Sequence, residues 1–385
     1  MDSTLSIALL GLCGLCALAM VYPYVLYPLI LARLPERPLR PVAGQAAVPR
    51  LSLAFCAYNE AAVLPVKIEN LRALRAVEPE LEILAYSDGS SDATAALLQA
   101  EADWIRVFAA EARHGKSHGM NTLVQAASGD IIVFTDANVM VDPASLAALR
   151  RDFADPLVGC VCGNLIYTNL DEGATAATGS LYWRLEERIK ALESRSGSTM
   201  GADGALFAVR RALYPPVPPD IIDDMFVSLS ILCDGHRVLR DPAVLAYERA
   251  ATDSADEFKR KIRIACQAFN CHRLLSPRLR RLSRLDRFKY ISHKLLRWFG
   301  IYFFALGALA AAAWLVMQGL ALLALAGLAA GALLYGAGRA GVPMLLAKAV
   351  EILRAMAATG IGLFKSRRGE RFQTWDLPAS SRKPG

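Results

Sequence analysis

Two kinds of apolar spacing divide this chain. Residues 5–32 and 299–338 carry no charge at all over about 28 and about 40 residues, whereas between 51 and 246 short β-rich runs alternate with stretches of helical period. A bilayer core takes about 20 apolar residues. The first stretch therefore predicts a transmembrane helix within residues 1–32, and the second a transmembrane hairpin over 299–338, reversing near Gln318-Gly319. Residues 342–364 differ, because Lys348, Glu351 and Arg354 recur every third position and line one side of a helix with apolar residues opposite. They predict an amphipathic helix in the membrane interface, with a basic tail, over 339–385. A signal peptide is disfavoured at the N-terminus, since Asp2 stands where basic residues belong and Pro23 and Pro28 interrupt the apolar run.

The alternating stretch has the rhythm of an α/β sheet with crossover helices. Strands are predicted at 51–57, 81–87, 105–108 and 131–135, and helices near 61–76, 92–101, 117–127 and 143–153. Three of these strands end in polar clusters: Tyr58-Asn59-Glu60, Asp88-Gly89-Ser90-Ser91-Asp92 and Asp136-Ala137-Asn138. Ligands of open α/β sheets bind beyond the carboxyl ends of the strands, so these clusters predict a binding cleft. Singly, each also reads as a turn with a helix cap. Their recurrence at neighbouring strand ends, with Gly115-Lys116 between them, is what a turn does not explain.

Composition fits this division. The chain has 385 residues, 54% hydrophobic and 21% charged, with a mean hydropathy of +0.31. That is too apolar for an ordinary soluble protein and too charged for a pure membrane bundle, and it excludes a disordered chain, a coiled coil or a disulfide scaffold. The formal net charge of +7 is unevenly placed: residues 51–256 hold 17 basic against 29 acidic side chains, and residues 257–297 hold 13 against 2. A basic belt beside apolar segments predicts interfacial helices over 257–298 resting on anionic lipid, with Phe288, Tyr290 and Trp298 as interfacial aromatics. It shows no nucleic-acid signature, so no nucleic-acid partner is expected. Arg33, Arg37 and Arg40 in the basic linker 33–50 place the N-terminus outside and the domain of 51–256 in the cytoplasm by the positive-inside rule.

Other motifs are weaker. Gly115-Lys116-Ser117 hints at a phosphate loop, but the glycine required five residues earlier is Ala110. Lys116 still opens a helix, where a cation and free N–H groups favour phosphate, and His114 stands beside it. The other four histidines lack partners at ligand spacing, and the eight cysteines show no ligand grouping.

Taken together, Tyr58-Asn59-Glu60, Ser87-Asp88-Gly89-Ser90, Gly115-Lys116 with Asn121, Asp136-Ala137-Asn138, Gly201-Ala202-Asp203-Gly204 through Arg210-Arg211, and Asp223-Asp224 resemble, in order and spacing, the membrane-bound family 2 glycosyltransferases. That group includes cellulose, hyaluronan and poly-N-acetylglucosamine synthases, and the resemblance reaches from Leu51 to Trp375. It implies an α/β GT-A fold, a Rossmann-like mixed sheet in a cytoplasmic domain between N-terminal and C-terminal membrane helices, with a nucleotide-sugar donor, a divalent cation and inversion at the anomeric carbon. Carried over, Tyr58, Glu60 and Asp88 hold the uridine of a UDP-sugar, and Lys116 sits near the nucleotide. Asp136 and Asn138 take the metal-binding Asp-x-Asp position for Mg²⁺ or Mn²⁺, where Asn keeps an oxygen ligand but removes a charge.

Asp223-Asp224 matches the family's acidic pair, with Asp224 as the base that deprotonates the acceptor and Asp223 able to raise its partner's pKa by repulsion. Where processive members carry Gln-x-x-Arg-Trp, this chain has Phe258-Lys259-Arg260-Lys261-Ile262-Arg263-Ile264. Arg260, Lys261 and Arg263 keep the cations for the diphosphate, but the aromatic platform is missing. The implied enzyme is an inverting, metal-dependent hexosyltransferase of the bacterial inner membrane, acting in exopolysaccharide or cell-surface glycan synthesis on a lipid-linked or membrane-bound saccharide. A processive synthase, working with a second copy or a synthase partner, and a non-catalytic nucleotide-binding scaffold subunit are the alternatives.

Overall fold

The computed structural model describes residues 3–41, 49–168, 174–249, 254–340 and 344–373. Part of the linker (42–48), the basic tail (374–385) and Trp375 lie outside them. The chain begins with α1 (Ser3–Val21) and α2 (Leu26–Leu31). The α/β domain follows as β1 (Leu51–Ala57), α3 (Leu64–Val77), β2 (Glu82–Asp88), α4 (Thr94–Gln99), β3 (Arg106–Ala110), α5 (Lys116–Ala126), β4 (Ile131–Asp136), β5 (Met140–Val141) and α6 (Ser145–Phe153). It continues through β6 (Val158–Tyr167), α7 (Ala174–Arg195), β7 (Leu206–Arg210), α8 (Asp223–Cys233) and β8 (Arg237–Glu248). The remainder is helical: α9 (Ser254–Leu279), α10 (Arg284–Tyr290), a π-turn (Ile291–Leu295), α11 (Leu296–Trp298), α12 (Gly300–Met317), α13 (Ala321–Arg339) and α14 (Met344–Arg367).

The strands form one sheet in the order β3-β2-β1-β4-β7-β6-β8-β5. β1 pairs in parallel with β2 and β4, while β7 runs antiparallel to β4 and β6, so the sheet is mixed. β1 and β4 are apolar and buried on both faces, as central strands must be, with Leu53, Phe55, Ile131 and Val133 almost wholly inaccessible. Each such side chain contributes about 1.5–3 kcal/mol of burial. After β1 the chain moves outward to β2 and β3 and returns through β4 on the other side of β1. That reversal opens the crevice beyond the ends of β1 and β4.

Three helices have the length and composition of membrane spans: α1, α12 and α13. The protein is a membrane-anchored α/β protein. α1 lies against α12, where Trp314 donates its indole N–H to Ser6 at 2.9 Å and Gly307 leaves room for Cys16. The stretch 5–32 is not one continuous helix, however. It breaks at Tyr22–Val25, around Pro23, and the short α2 turns back to bury Tyr27 and Leu31 against Ile189 of α7. A second difference concerns 284–298: Tyr290 is buried and stacks on His272, and Trp298 packs edge-on against Phe269. These aromatics pack α9 against the following helices, with Tyr290 buried and Trp298 partly so. α14 runs along α9 with Gly362 at the closest approach, where a Cβ would stand 2.6 Å from the Ala265 side chain and the Ile262 carbonyl.

Candidate active site

The site is built where β1, β2 and β4 end. At the end of β1, Asn59 adopts φ 51°, the only positive φ outside glycine among the described residues, and its carboxamide accepts from the Ser91 N–H at 2.8 Å. The kink turns Glu60 inward, where it is buried and its backbone N–H donates to the Thr94 hydroxyl. Tyr58 stays half-exposed, and the Arg113 guanidinium stacks on its ring at 3.7 Å. At the end of β2, Asp88 accepts from the backbone N–H of His114 at 2.7 Å and of Gly115 at 2.9 Å. Gly115 has φ +91°, and a Cβ there would stand 2.7 Å from the Gln373 carbonyl oxygen, so only glycine fits.

Lys116, the first residue of α5, is the hub. Its ammonium lies 2.8 Å from Asp136 at the end of β4 and 3.2 Å from Asp223 at the start of α8. Burial works against its charge, but Asp136 and Asp223 outweigh that and hold it well above the usual lysine range. Asp224, beside Asp223, makes no ion pair within 4 Å among the described residues and feels Lys116 only through space. Burial first, and then repulsion by Asp223, push its carboxyl up to about 7, and Asp203 adds to the push. Gly204 faces it, with a Cβ there 3.1 Å from the Asp224 carboxylate, so any larger residue would crowd the acid.

The structure thus gathers Asp88, Lys116, Asp136, Asp223 and Asp224 around one crevice, with Tyr58 and Glu60 on its β1 side. Asn138 is nearby and is engaged: its amide donates to Glu248, at the end of β8, at 3.0 Å. Arg263 faces Asp223 electrostatically, with burial and Arg260 lowering its pKa to about 10. Arg260 pairs with Glu257 at 3.3 Å and also feels Glu248. Lys261 pairs with Glu257 at 3.6 Å, and none of its ion pairs among the described residues is with a carboxylate of the crevice.

Several contributors escape sequence reasoning. Glu248 restores a carboxylate beside Asn138 from a strand 110 residues away. Asp203, inside a motif already noted, is paired with the buried Lys190 and approached by Cys162. Lys67 of α3, fully buried, donates to the Val139 carbonyl at 2.5 Å and so supports the loop that carries Asp136 and Asn138. Residues 370–373, beyond α14, cross α9 as a strap: Gln267 donates to the Phe372 carbonyl at 2.9 Å and Arg371 pairs with Asp220 at 3.3 Å. Only for Asp203 was there a signal, its place between two glycines.

Residues 52–215 match the family model described as glycosyl transferase family 2. This chain carries a family 2 glycosyltransferase domain. Over 223 residues this chain is 26% identical to the poly-beta-1,6-N-acetyl-D-glucosamine synthase of Staphylococcus aureus (strain COL), covering 56% of this chain and 53% of the relative. It is 23% identical over 254 residues to an N-acetylglucosaminyltransferase of Rhizobium leguminosarum bv. viciae, covering 62% and 60%. The chain spans about half the length of the first of these curated relatives. Among solved structures it resembles a mannosyltransferase from Pyrobaculum calidifontis in complex with GDP-Man and Mn2+, at TM-score 0.73 and 22% identity over 92% of this chain and 99% of that one. That likeness shows the fold alone, a GT-A-like mixed sheet with the helices that flank it.

Proposed function

We propose that this family 2 transferase moves a sugar from a UDP-sugar to a lipid-linked or membrane-bound saccharide, with inversion and with Mg²⁺ or Mn²⁺, in exopolysaccharide or cell-surface glycan synthesis. The observation that carries the proposal is the Lys116 hub, which joins Asp136 and Asp223 while leaving Asp224 with a carboxyl near 7. A general base works best with a pKa near the operating pH. Asp224 takes the proton of the acceptor hydroxyl. The acceptor oxygen forms its bond to the anomeric carbon as the bond from that carbon to the diphosphate oxygen breaks, and UDP leaves with the electron pair on the opposite face. Lys116, Arg260 and Arg263 lie where they offset the charge growing on the diphosphate. Tyr58, Glu60 and Asp88 hold the nucleoside end, Asp88 mainly by fixing the Gly115 loop.

Asp136, Asn138 and Glu248 offer only oxygen donors, the set that suits a hard divalent cation, and Asp136 is 37% exposed, open to one. When bound, such a cation neutralises diphosphate charge. The names of the two relatives favour N-acetylglucosamine as the sugar. The positive-inside rule sets the N-terminus outside and the domain at the cytoplasmic face of a bacterial inner membrane, and the packing of α14 on α9 agrees, since it keeps both flanks of the α12–α13 hairpin on one side. Single addition is favoured over polymerisation because Ile264 stands where a processive enzyme presents tryptophan.

The test uses purified protein with UDP-linked N-acetylglucosamine, glucose, galactose and glucuronate, each with Mg²⁺ or Mn²⁺. Transfer or hydrolysis of one donor, lost in Asp224→Asn with donor binding intact, supports the reading. Unchanged glycan output in cells making only Asp224→Asn would point to the scaffold role.

A further inference from the structure

The loop between β7 and α8 delivers Asp223 and Asp224 to the crevice, and it reads Tyr214-Pro215-Pro216-Val217-Pro218-Pro219-Asp220. Proline has a fixed φ and no backbone N–H, so such a loop is stiff but offers few donors by which the rest of the fold could hold it. Val217 carries the single backbone N–H of residues 215–219. One side chain takes it. The carboxamide of Asn121, on α5, accepts from the Val217 N–H at 2.9 Å and donates to the Val217 carbonyl at 2.9 Å. The same carboxamide oxygen accepts from the Tyr214 hydroxyl at 3.0 Å. Val217 is only 3% exposed, so water is poorly placed to replace these bonds.

Asn121 belongs to the helix that begins with Lys116, and it stands about 7.5 Å further along the axis. From its first turn α5 reaches Asp223, at the far end of the loop, through the Lys116 ammonium at 3.2 Å; from its second turn it reaches the middle of the loop through Asn121. Between these two ties run Pro218 and Pro219, followed by a turn in which the Ile221 N–H donates to the Pro218 carbonyl at 3.3 Å. A stiff segment fixed at both ends leaves the first turn of α8 little freedom of position. The Arg371–Asp220 pair is a weaker tie on the same loop, since its arginine is exposed. Among the described residues, the side-chain hydrogen bonds of Asn121 go to Tyr214 and Val217 alone. We propose that Asn121 is a positioning residue for the transfer step: acting through Val217, it sets where Asp224 stands against the acceptor hydroxyl. The proposal rests on Asp224 as the base of the preceding reading. A misplacement of about 1 Å in such a group costs about 10²-fold in rate, so a side chain outside the crevice governs turnover without touching substrate.

The test compares the wild type, Asn121→Ala, Asp224→Asn and the double variant, each as the full chain in detergent. Hydrogen exchange reads the tie itself: the Val217 amide should exchange at least about tenfold faster in Asn121→Ala than in the wild type, and equal exchange would overturn the proposal. UDP release from UDP-N-acetylglucosamine with Mn²⁺ then reads its consequence. Asn121→Ala should lower kcat about 10–100-fold with the calorimetric donor Kd within about twofold. In the Asp224→Asn background the same change should alter the residual rate by no more than about twofold, because a residue that acts through another has nothing left to act on. Equal losses in both backgrounds would mean that Asn121 only holds the fold, and would overturn the proposal. A loss matched by weaker donor binding would do the same, since it places the effect on the nucleotide. If Asn121→Ala does not fold, Asn121→Asp carries the test: it keeps the oxygen that Val217 and Tyr214 use and loses the donor to the Val217 carbonyl, and its kcat should fall as in the alanine variant but less far. Should Asp224→Asn turn over like the wild type, the base assignment fails before Asn121 is considered. Should it lose activity while Asn121→Ala keeps the wild-type rate, the positioning role alone fails.

Discussion

Two clusters of buried charge lie in this molecule, and they are solved in opposite ways. Around the α2–α7–α11 joint, His293 is held between Glu186 at 2.8 Å and Glu193 at 2.9 Å, with Arg297 on Glu186 and Tyr27 donating to Glu193 at 2.5 Å. Burial would raise both glutamates, but His293 and its cationic neighbours outweigh it, so Glu186 sits well below the carboxylate range and Glu193 is lowered too. At the strand ends, one ammonium serves Asp136 and Asp223, and Asp224 is left raised to about 7. Buried acids with their cations alongside hold the N-terminal segment onto the domain. A buried acid short of a cation is a base in waiting. The difference is one of compensation, since both clusters are packed and both draw on several elements.

The largest effect should come from the uncompensated side. Asp224→Asn is expected to lower turnover by about 10²–10⁴-fold while sparing donor binding, read by initial rates and calorimetry. It should also stabilise the protein at alkaline pH. The folded-state pKa of Asp224 lies above its unfolded value, so its contribution is fully present below the unfolded carboxyl range and is lost as pH rises through about 7. The Asn variant should therefore melt higher than wild type at pH 8 and equally at pH 4.

On the compensated side the expectation reverses. Glu193→Ala strands His293 and Tyr27 and should cost about 3–5 kcal/mol of stability, seen as a lowered melting temperature in detergent, with turnover per folded molecule kept. Because Glu186 and Glu193 are lowered in the fold, their contribution holds above the unfolded carboxyl range and fades as pH falls through their folded values, so this joint should loosen first in acid. If Glu193→Ala instead abolished turnover without loss of stability, the contrast between the clusters would be wrong.

Smaller effects sharpen the comparison. Lys116→Met removes the charge that restrains Asp224, so the rising limb of the pH–rate profile should move to higher pH along with a fall in rate. Arg371→Ala breaks a pair whose arginine is exposed and whose Asp220 is partly covered, an interaction worth about 0–1 kcal/mol, and should change donor KM by no more than about fivefold.

The strand ends were legible because a central parallel strand announces itself by an unbroken apolar run, and the polar residues that stop it fall by geometry at the cleft. β1 occupies the predicted residues, and Asp88 and Asp136 each close a strand. What no local pattern carries is pairing at long range. Glu248 reaches Asn138 only through the register of β8 beside β5 and β6. The Gln373 strap reaches Gly115 only because α14 packs on α9. The break after Val21 was missed for another reason: composition reports apolar length, and the tyrosines and prolines that turn α2 back are apolar enough to pass as membrane. Tyr290, expected at an interface, is buried for the same reason, since an aromatic beside arginines looks alike at a membrane surface and in a packed joint.

The account stands most directly on the pH dependence of kcat/KM for sugar transfer, measured for the wild type and Asp224→Asn from pH 5.5 to 9. The wild-type rate should climb through an inflection near 7, and the residual rate of the variant should be flat over the same span. An inflection that persists unchanged in the variant would show that another group takes the acceptor's proton.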